Sequence, residues 1–286
     1  MENGSRNFAA NKRHILQEIF QEKLTVFVGA GLSIGAGMPS WEELVRNIIK
    51  NSELSSLQLD NLPQIIQYYC DAHPSNRRRL LEIIQEAFSC ELNETKNHKF
   101  LAKLPVERVW TTNYDDLIEK AFQKEGKKVI SVTKPTQLTQ LNSDNAVQVI
   151  KMHGDISDHE SIVISKSDYE TYDIKRKWFL KILQAEMISK TFLFMGFSFR
   201  DPNLDFVKKE IAKHFAENQR RHFALFKHGN HETGEEKSDF ENRKILRELF
   251  DKDLSRYGIN TILFERHDDI SDFLQDVVQS YEKGLN

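Results

Sequence analysis

Cysteine is nearly absent, with only Cys70 and Cys90 among 286 residues. Both stand in helix-like contexts and they form no C-x-x-C pair, which excludes a disulfide framework and a four-thiolate zinc site. Long apolar runs are also missing. The N-terminal stretch MENGSRNFAANKRHILQEIFQEK holds nothing that could serve as a signal peptide or span a membrane. The chain therefore reads as cytoplasmic, with no membrane partner and no metal. An excess of one charge is lacking too, since 40 Lys and Arg stand against 43 Asp and Glu, a formal net charge of −3. No overall field draws such a chain to nucleic acid. The basic runs RRR (77–79), KRK (175–177) and RR (220–221) read as solvated helix faces or subunit contacts.

What is present is ample core material: 39% hydrophobic residues, including 19 Phe. Short β-branched or apolar runs recur at 24–28, 108–112, 147–152, 191–196, 222–226 and 260–264, with helix-period segments between most of them, as at 114–126, 174–190 and 201–219. The last begins with Asp201 as N-cap and Pro202 at the first helical position. Strands alternating with helices predict an α/β fold, a doubly wound parallel sheet of Rossmann-like type. Residues 41–104 break the rhythm with several helical stretches and no convincing strand. They read as a helical subdomain inserted into a core made of 24–40 and 105–286, the whole forming one domain over 1–286. The polar segment 227–240 reads as a mobile loop.

The first strand runs into VGAGLSIGAG, and a glycine-rich bend between strand and helix is a favourable place for a phosphate. No lysine follows before Lys50, against a nucleotide-triphosphate loop, and Ile34 stands where a dehydrogenase fingerprint needs glycine or alanine. Alone, the bend is as readily a tight turn without a ligand. Three further strand ends agree with it, however: TTNYDD (111–116), KMHGD (151–155) and GFSFRDPN (196–203). Ligands of open α/β sheets bind at the carboxyl ends of the strands, so these segments are expected to converge on one crevice. Asn113 read alone would be a helix cap and His153 an ordinary histidine; their joint occurrence at consecutive strand ends favours function.

In that order, G-A-G-x-S, T-x-N-x-D, H-G and G-x-S resemble the sirtuin NAD-binding core. SWEEL, WTTNYDDLIEKA, KMHGD, SKTFLFMGFSFRDPNLD, QRRH and DLSRYGI look more closely like the sirtuin-like, NAD-cleaving domains of antiphage defence proteins, the Thoeris effector ThsA and its relatives. The similarity runs from about residue 20 to the C-terminus. It implies NAD+ as substrate, with Gly29, Ala30, Gly31 and Ser33 cradling the pyrophosphate and Asp115 holding the nicotinamide carboxamide. Ser198, with Asp201 or Asn203 nearby, would face the adenosine ribose, and Thr112 and Gly196 complete the binding set. Asn113 would orient the ribose hydroxyls and the attacking water. His153 would be the general base, because imidazole exchanges protons near neutral pH. Trp41 would shield the nicotinamide cation or else be core at a helix start. His98, His214 and His222 are expected to be structural.

Two departures oppose a protein deacylase: the zinc ribbon is missing, and Thr112 stands where sirtuins have glutamine. The expected function is thus NAD+ hydrolysis that depletes the cofactor in an infected cell. The alternatives are a deacylase or ADP-ribosyltransferase, and a non-catalytic NAD or ADP-ribose sensor. The resemblance further implies a homo-oligomer, and control by a HerA-class ATPase, a short Argonaute or a C-terminal sensor domain.

Overall fold

A computed structural model describes residues 2–58, 60–88, 92–140, 145–215, 218–227 and 236–284. The chain begins with α1 (Glu2–Phe20), β1 (Leu24–Val28) and the short α2 (Gly31–Ile34), followed by α3 (Trp41–Ile49), α4 (Leu62–Asp71), α5 (Asn76–Phe88) and α6 (Lys96–Lys103). Then come β2 (Arg108–Thr111), α7 (Leu117–Lys124), β3 (Lys128–Val132), β4 (Ala146–Lys151), α8 (Lys166–Glu170), α9 (Tyr172–Lys175) and α10 (Lys177–Ser189). The remainder is β5 (Thr191–Met195), α11 (Pro202–Phe215), β6 (His222–Lys227), α12 (Lys237–Ser255), β7 (Ile259–Phe264) and α13 (His267–Gly284).

The seven strands form one sheet in the order β3-β4-β2-β1-β5-β6-β7, every neighbouring pair parallel. β1 is buried along its whole length, as an LTVFV run at the centre of a covered parallel sheet must be. Side chains alternate between its faces. Val26 and Val28 enter an apolar cluster with residues of α1, α6, α7 and α13, whereas Phe27 enters another with Trp110, Phe192, Phe194 and residues of α10 and α11. A third cluster joins α3, α4 and α5 through Val45, Ile49, Ile66 and Leu80. Of the helical stretch 41–104, α6 stands apart, since its Leu101 and Ala102 belong to the first cluster.

The doubly wound α/β expectation holds, with differences that have local causes. β3 was absent from the sequence reading because KVISV is short and largely half-exposed; it lies at the sheet edge. The helix expected over 174–190 is broken at Arg176 (φ −127°, ψ 22°). That residue turns inward to donate to the carbonyls of Thr133, Met152 and Ser161. The basic runs are therefore not merely solvated. Besides Arg176, Arg77 pairs with Asp168 at 2.9 Å and Arg220 pairs with Glu18. Within the expected loop 227–240, Lys227 ends β6 and 237–240 start α12; residues 228–235, like Cys90, lie outside the described residues.

Two buried histidines couple the fold to pH. His222 accepts a hydrogen bond from the Phe192 N–H at Nδ1, and burial together with Arg220 lowers its pKa to about 3. Burial lowers His98 to about 4, against the opposing pull of Glu94. Both fold neutral, so the unfolded chain binds more protons below its histidine pKa of about 6.5, and stability is lost as pH falls from there. Each contributes about 1.4 kcal/mol per pH unit down to its folded pKa. Thermal melts between pH 7 and 5 are expected to show this slope, and His222→Asn, whose Oδ1 can replace Nδ1 as acceptor, to flatten it.

Candidate active site

Connections change side in this sheet at β1 and β5, and ligands of open α/β sheets sit outside the carboxyl ends of the strands at such a point. The turn after β1 and the bend after β5 meet there. Gly29 N–H donates to Met195 O at 3.0 Å, and Gly31 N–H to Gly196 O at 2.8 Å. Gly196 has φ +63°, and a Cβ on it would lie 2.2 Å from Leu32 N. These glycines are required by the approach of one loop to the other, whatever they bind. Ala30, Gly31, Gly196 and Ser198 are exposed at this rim, and Ala30 caps α2 without any side-chain hydrogen bond.

Ser33 is not at the rim with them. It is 1% exposed, and its Oγ accepts from Asn113 Nδ2 at 3.1 Å. Asn113 is held from behind by its backbone N–H, which donates to Thr111 Oγ1 at 3.0 Å. Its Oδ1 is buried and has no partner. An orphaned buried acceptor costs about 1–3 kcal/mol. Thr112 beside it is half-buried, and its N–H donates to Val28 O at 3.3 Å. Asp115 is buried; burial pushes its carboxyl up, against Lys151 and the hydrogen bonds from Leu117 N–H and Ser33.

His153 stands on the loop after β4, its carbonyl accepting from Val163 N–H at 2.9 Å. Its Nε2 lies 3.0 Å from Asp201 Oδ2. Burial raises the Asp201 carboxyl, but His153 and the N–H groups of Leu204 and Asn203 outweigh it and hold it below the ordinary value. Asp201 Oδ1 caps α11 through those two N–H groups, each at 3.0 Å. Asp201 Oδ1 is thus committed to the start of α11, and Oδ2 faces His153 Nε2. Asn203 is buried with its Nδ2 unpartnered.

Tyr169 and Tyr172, which no motif had singled out, close around the imidazole. Their rings stand edge-on to it at 5.5 and 6.4 Å between centroids. Tyr169 Oη reaches Asp201 Oδ2 at 3.5 Å, and Tyr172 Oη donates to Met152 O at 3.0 Å. Trp41 packs half-buried against the third apolar cluster, which also contains Tyr114, Ile162 and Ile164. The helices α3–α5 therefore sit directly on the two loops that carry Asn113 and His153. Among the described residues, no three or more His, Cys, Asp or Glu side chains gather to hold a metal ion, and no helix is long and apolar enough to cross a membrane.

Several known proteins are similar to this chain in sequence or in fold. The chain is 40% identical over 261 residues to the NAD(+) hydrolase ThsA of Bacillus cereus (strain MSX-D12), covering 91% of this chain and 55% of that protein. It is 25% identical over 201 residues to Defense-associated sirtuin 2 of Bacillus subtilis, covering 67% and 19%. It spans about half the length of the ThsA relatives it matches. In fold it is similar to the crystal structure of a Sir2 homolog–NAD complex, with a TM-score of 0.52, 14% identity and coverage of 96% and 95% of the two chains. The family described as the SIR2-like domain matches residues 107–249, half of the chain and the part that carries Asn113, His153 and Asp201, and to that family the chain belongs.

Proposed function

We propose that this chain hydrolyses the nicotinamide–ribose bond of NAD+, releasing nicotinamide and ADP-ribose. The observation that carries the reading is the unpartnered, buried Oδ1 of Asn113 in the crevice beyond β1 and β5. The 40% identity to a NAD(+) hydrolase supports it. Nicotinamide leaves as a neutral molecule, so the site needs no acid for the departing group. It needs an oriented water, an acceptor for one proton and shelter from bulk solvent.

Asn113 suits the first task. Ser33 fixes its amide by taking one N–H, which leaves Oδ1 as acceptor for a ribose hydroxyl or for the attacking water. His153 suits the second: as water adds to the ribose carbon and the bond to nicotinamide breaks, one water proton passes to the imidazole. Asp201, 3.0 Å from Nε2, stabilises the imidazolium so formed and frees Nδ1 for that transfer. The rim of Ala30, Gly31, Gly196 and Ser198 is assigned to the pyrophosphate and adenosine ribose, Asp115 to the carboxamide. The helices α3–α5 are assigned as the subdomain that walls the crevice.

The same reading places the chain in antiphage defence, where NAD+ depletion must await a trigger. It includes a homo-oligomer, or a partner or further domain, controlling entry to the crevice; the defence name of the Bacillus subtilis relative supports the setting. The test is chromatography of products after incubating the purified protein with NAD+. Nicotinamide and ADP-ribose in equal amounts, formed without any acylated peptide, are expected; NAD+ that binds yet stays intact, with candidate partners present, would sink the hydrolase reading in favour of a sensor.

A further inference from the structure

Between the two loops of the crevice lies a charge that the reaction itself does not use. Lys151, the last residue of β4, is 0% exposed, and lysine is almost never buried to this extent without a partner. An ammonium carries three protons, and each has an acceptor here. Two are carbonyls of the loop carrying Asn113: Tyr114 O at 3.2 Å and Asp115 O at 2.6 Å. The third is Asp155 Oδ2, on the loop carrying His153. Glu119 Oε1 of α7 stands a little farther off, at 3.3 Å.

Asp155 is itself held firmly. Its Oδ1 accepts from Ser157 N–H at 2.8 Å and Ser157 Oγ at 2.6 Å, and its own N–H donates to Ser161 Oγ at 2.9 Å. The other flank of His153 is clamped by Arg176, whose guanidinium takes the carbonyls of Met152 and Ser161. The histidine loop is thus a rigid base, and Lys151 ties the asparagine loop to it from within, beside two direct bonds, Ile156 N–H to Tyr114 O at 3.2 Å and Tyr114 Oη to Val163 O at 2.8 Å. Burial disfavours the ammonium, but Glu119 and Asp155 outweigh that and hold its pKa above the ordinary value, so the tie persists at neutral pH. A buried ion pair of this kind contributes little net stability compared with apolar packing of the same volume. What it supplies is a fixed distance between two backbones.

We propose that Lys151 is a positioning residue that fixes Asn113 relative to His153, and that losing it impairs turnover rather than binding. The proposal rests on the NAD+-hydrolysis reading above. Misplacement of a reacting group by about 1 Å costs up to about 100-fold in rate. A change of that order is therefore the expected scale.

The experiment compares wild type with Lys151→Gln, Lys151→Met and Asp155→Asn, the last keeping an acceptor oxygen in place. Three quantities are read: kcat and KM for NAD+, the calorimetric Kd for ADP-ribose, and hydrogen exchange at the amides of residues 113–116. The lysine variants are expected to lose roughly 10–100-fold in kcat, with KM and Kd changed less than about twofold and exchange at 113–116 accelerated. Asp155→Asn should fall between them and wild type. Unchanged kcat in a folded lysine variant overturns the proposal, as does a parallel loss of kcat and binding, which marks a merely structural role. Should both lysine variants fail to fold, unchanged turnover in Asp155→Asn overturns it. If wild type leaves NAD+ intact with candidate partners present, the hydrolase reading has failed, and the exchange data alone then decide the tie: unaltered exchange at 113–116 overturns it.

Discussion

Asn113→Ala is expected to lower NAD+ cleavage by about 10²–10³-fold, the loss typical of removing one preorganised group that stabilises a transition state, while leaving the protein folded. The two halves of that expectation have separate grounds. The side chain makes a single hydrogen bond within the protein, from Nδ2 to Ser33 Oγ at 3.1 Å, and the bond that holds the loop, Asn113 N–H to Thr111 Oγ1, belongs to the backbone and survives the substitution. Truncation therefore costs about 1 kcal/mol of stability, offset in part by relieving the orphaned Oδ1. His153→Ala is the less clean experiment, because it strips the buried Asp201 carboxylate of its partner. Product chromatography together with a thermal melt decides the matter. A melt near that of wild type with undiminished nicotinamide release would remove Asn113 from the mechanism.

Gly196→Ala is expected to destabilise the fold by roughly 3 kcal/mol or more, and to lower the melting temperature by roughly 10 °C. Two costs add. An alanine at φ +63° sits in the left-handed region, at about 1–2 kcal/mol. Its Cβ would lie 2.2 Å from Leu32 N and 2.7 Å from Gly31 C. Both obstacles are backbone, so no flexible side chain can yield, and the two loops must part, straining the Gly31 N–H to Gly196 O bond. Gly126→Ala is the control. Gly126 has a similar φ of +74°, yet a Cβ there meets nothing within 4 Å, so only the conformational cost of about 1–2 kcal/mol remains. Equal melting temperatures for the two variants would show that the contact between the β1 and β5 loops is not tight.

Much of the architecture was legible because local pattern suffices for it. The LTVFV run, buried throughout, could hardly be anything but a central strand, and the Asp201–Pro202 pair announced the start of α11. Edge position defeated the same logic at Lys128–Val132, where the half-exposed side chains show neither a continuous apolar run nor clean alternation. Arg176 defeated it differently. Its helix period is good, but three carbonyls distant in sequence draw its guanidinium inward, and the helix breaks to let it reach them.

At the site, the quoted motifs fall on loops that the structure brings together, though their side chains differ in burial and partners. Ser33 was grouped with the phosphate cradle, yet it lies buried beneath Asn113. Asp201 was placed at the ribose, yet it faces His153. Tyr169 and Lys151 carried no signal of their own.

The sequence by itself determined most of the strands and helices and their order, the loops at the strand ends and the residue types they carry, since each follows from periodicity and turn chemistry within a few residues. Only the tertiary structure decided which of those loops meet. The pairing of β1 with β5 brings Gly31 to Gly196, and that of β2 with β4 brings Asp115 to Lys151. Sheet register and core packing act between residues far apart in the chain, and no local propensity encodes them.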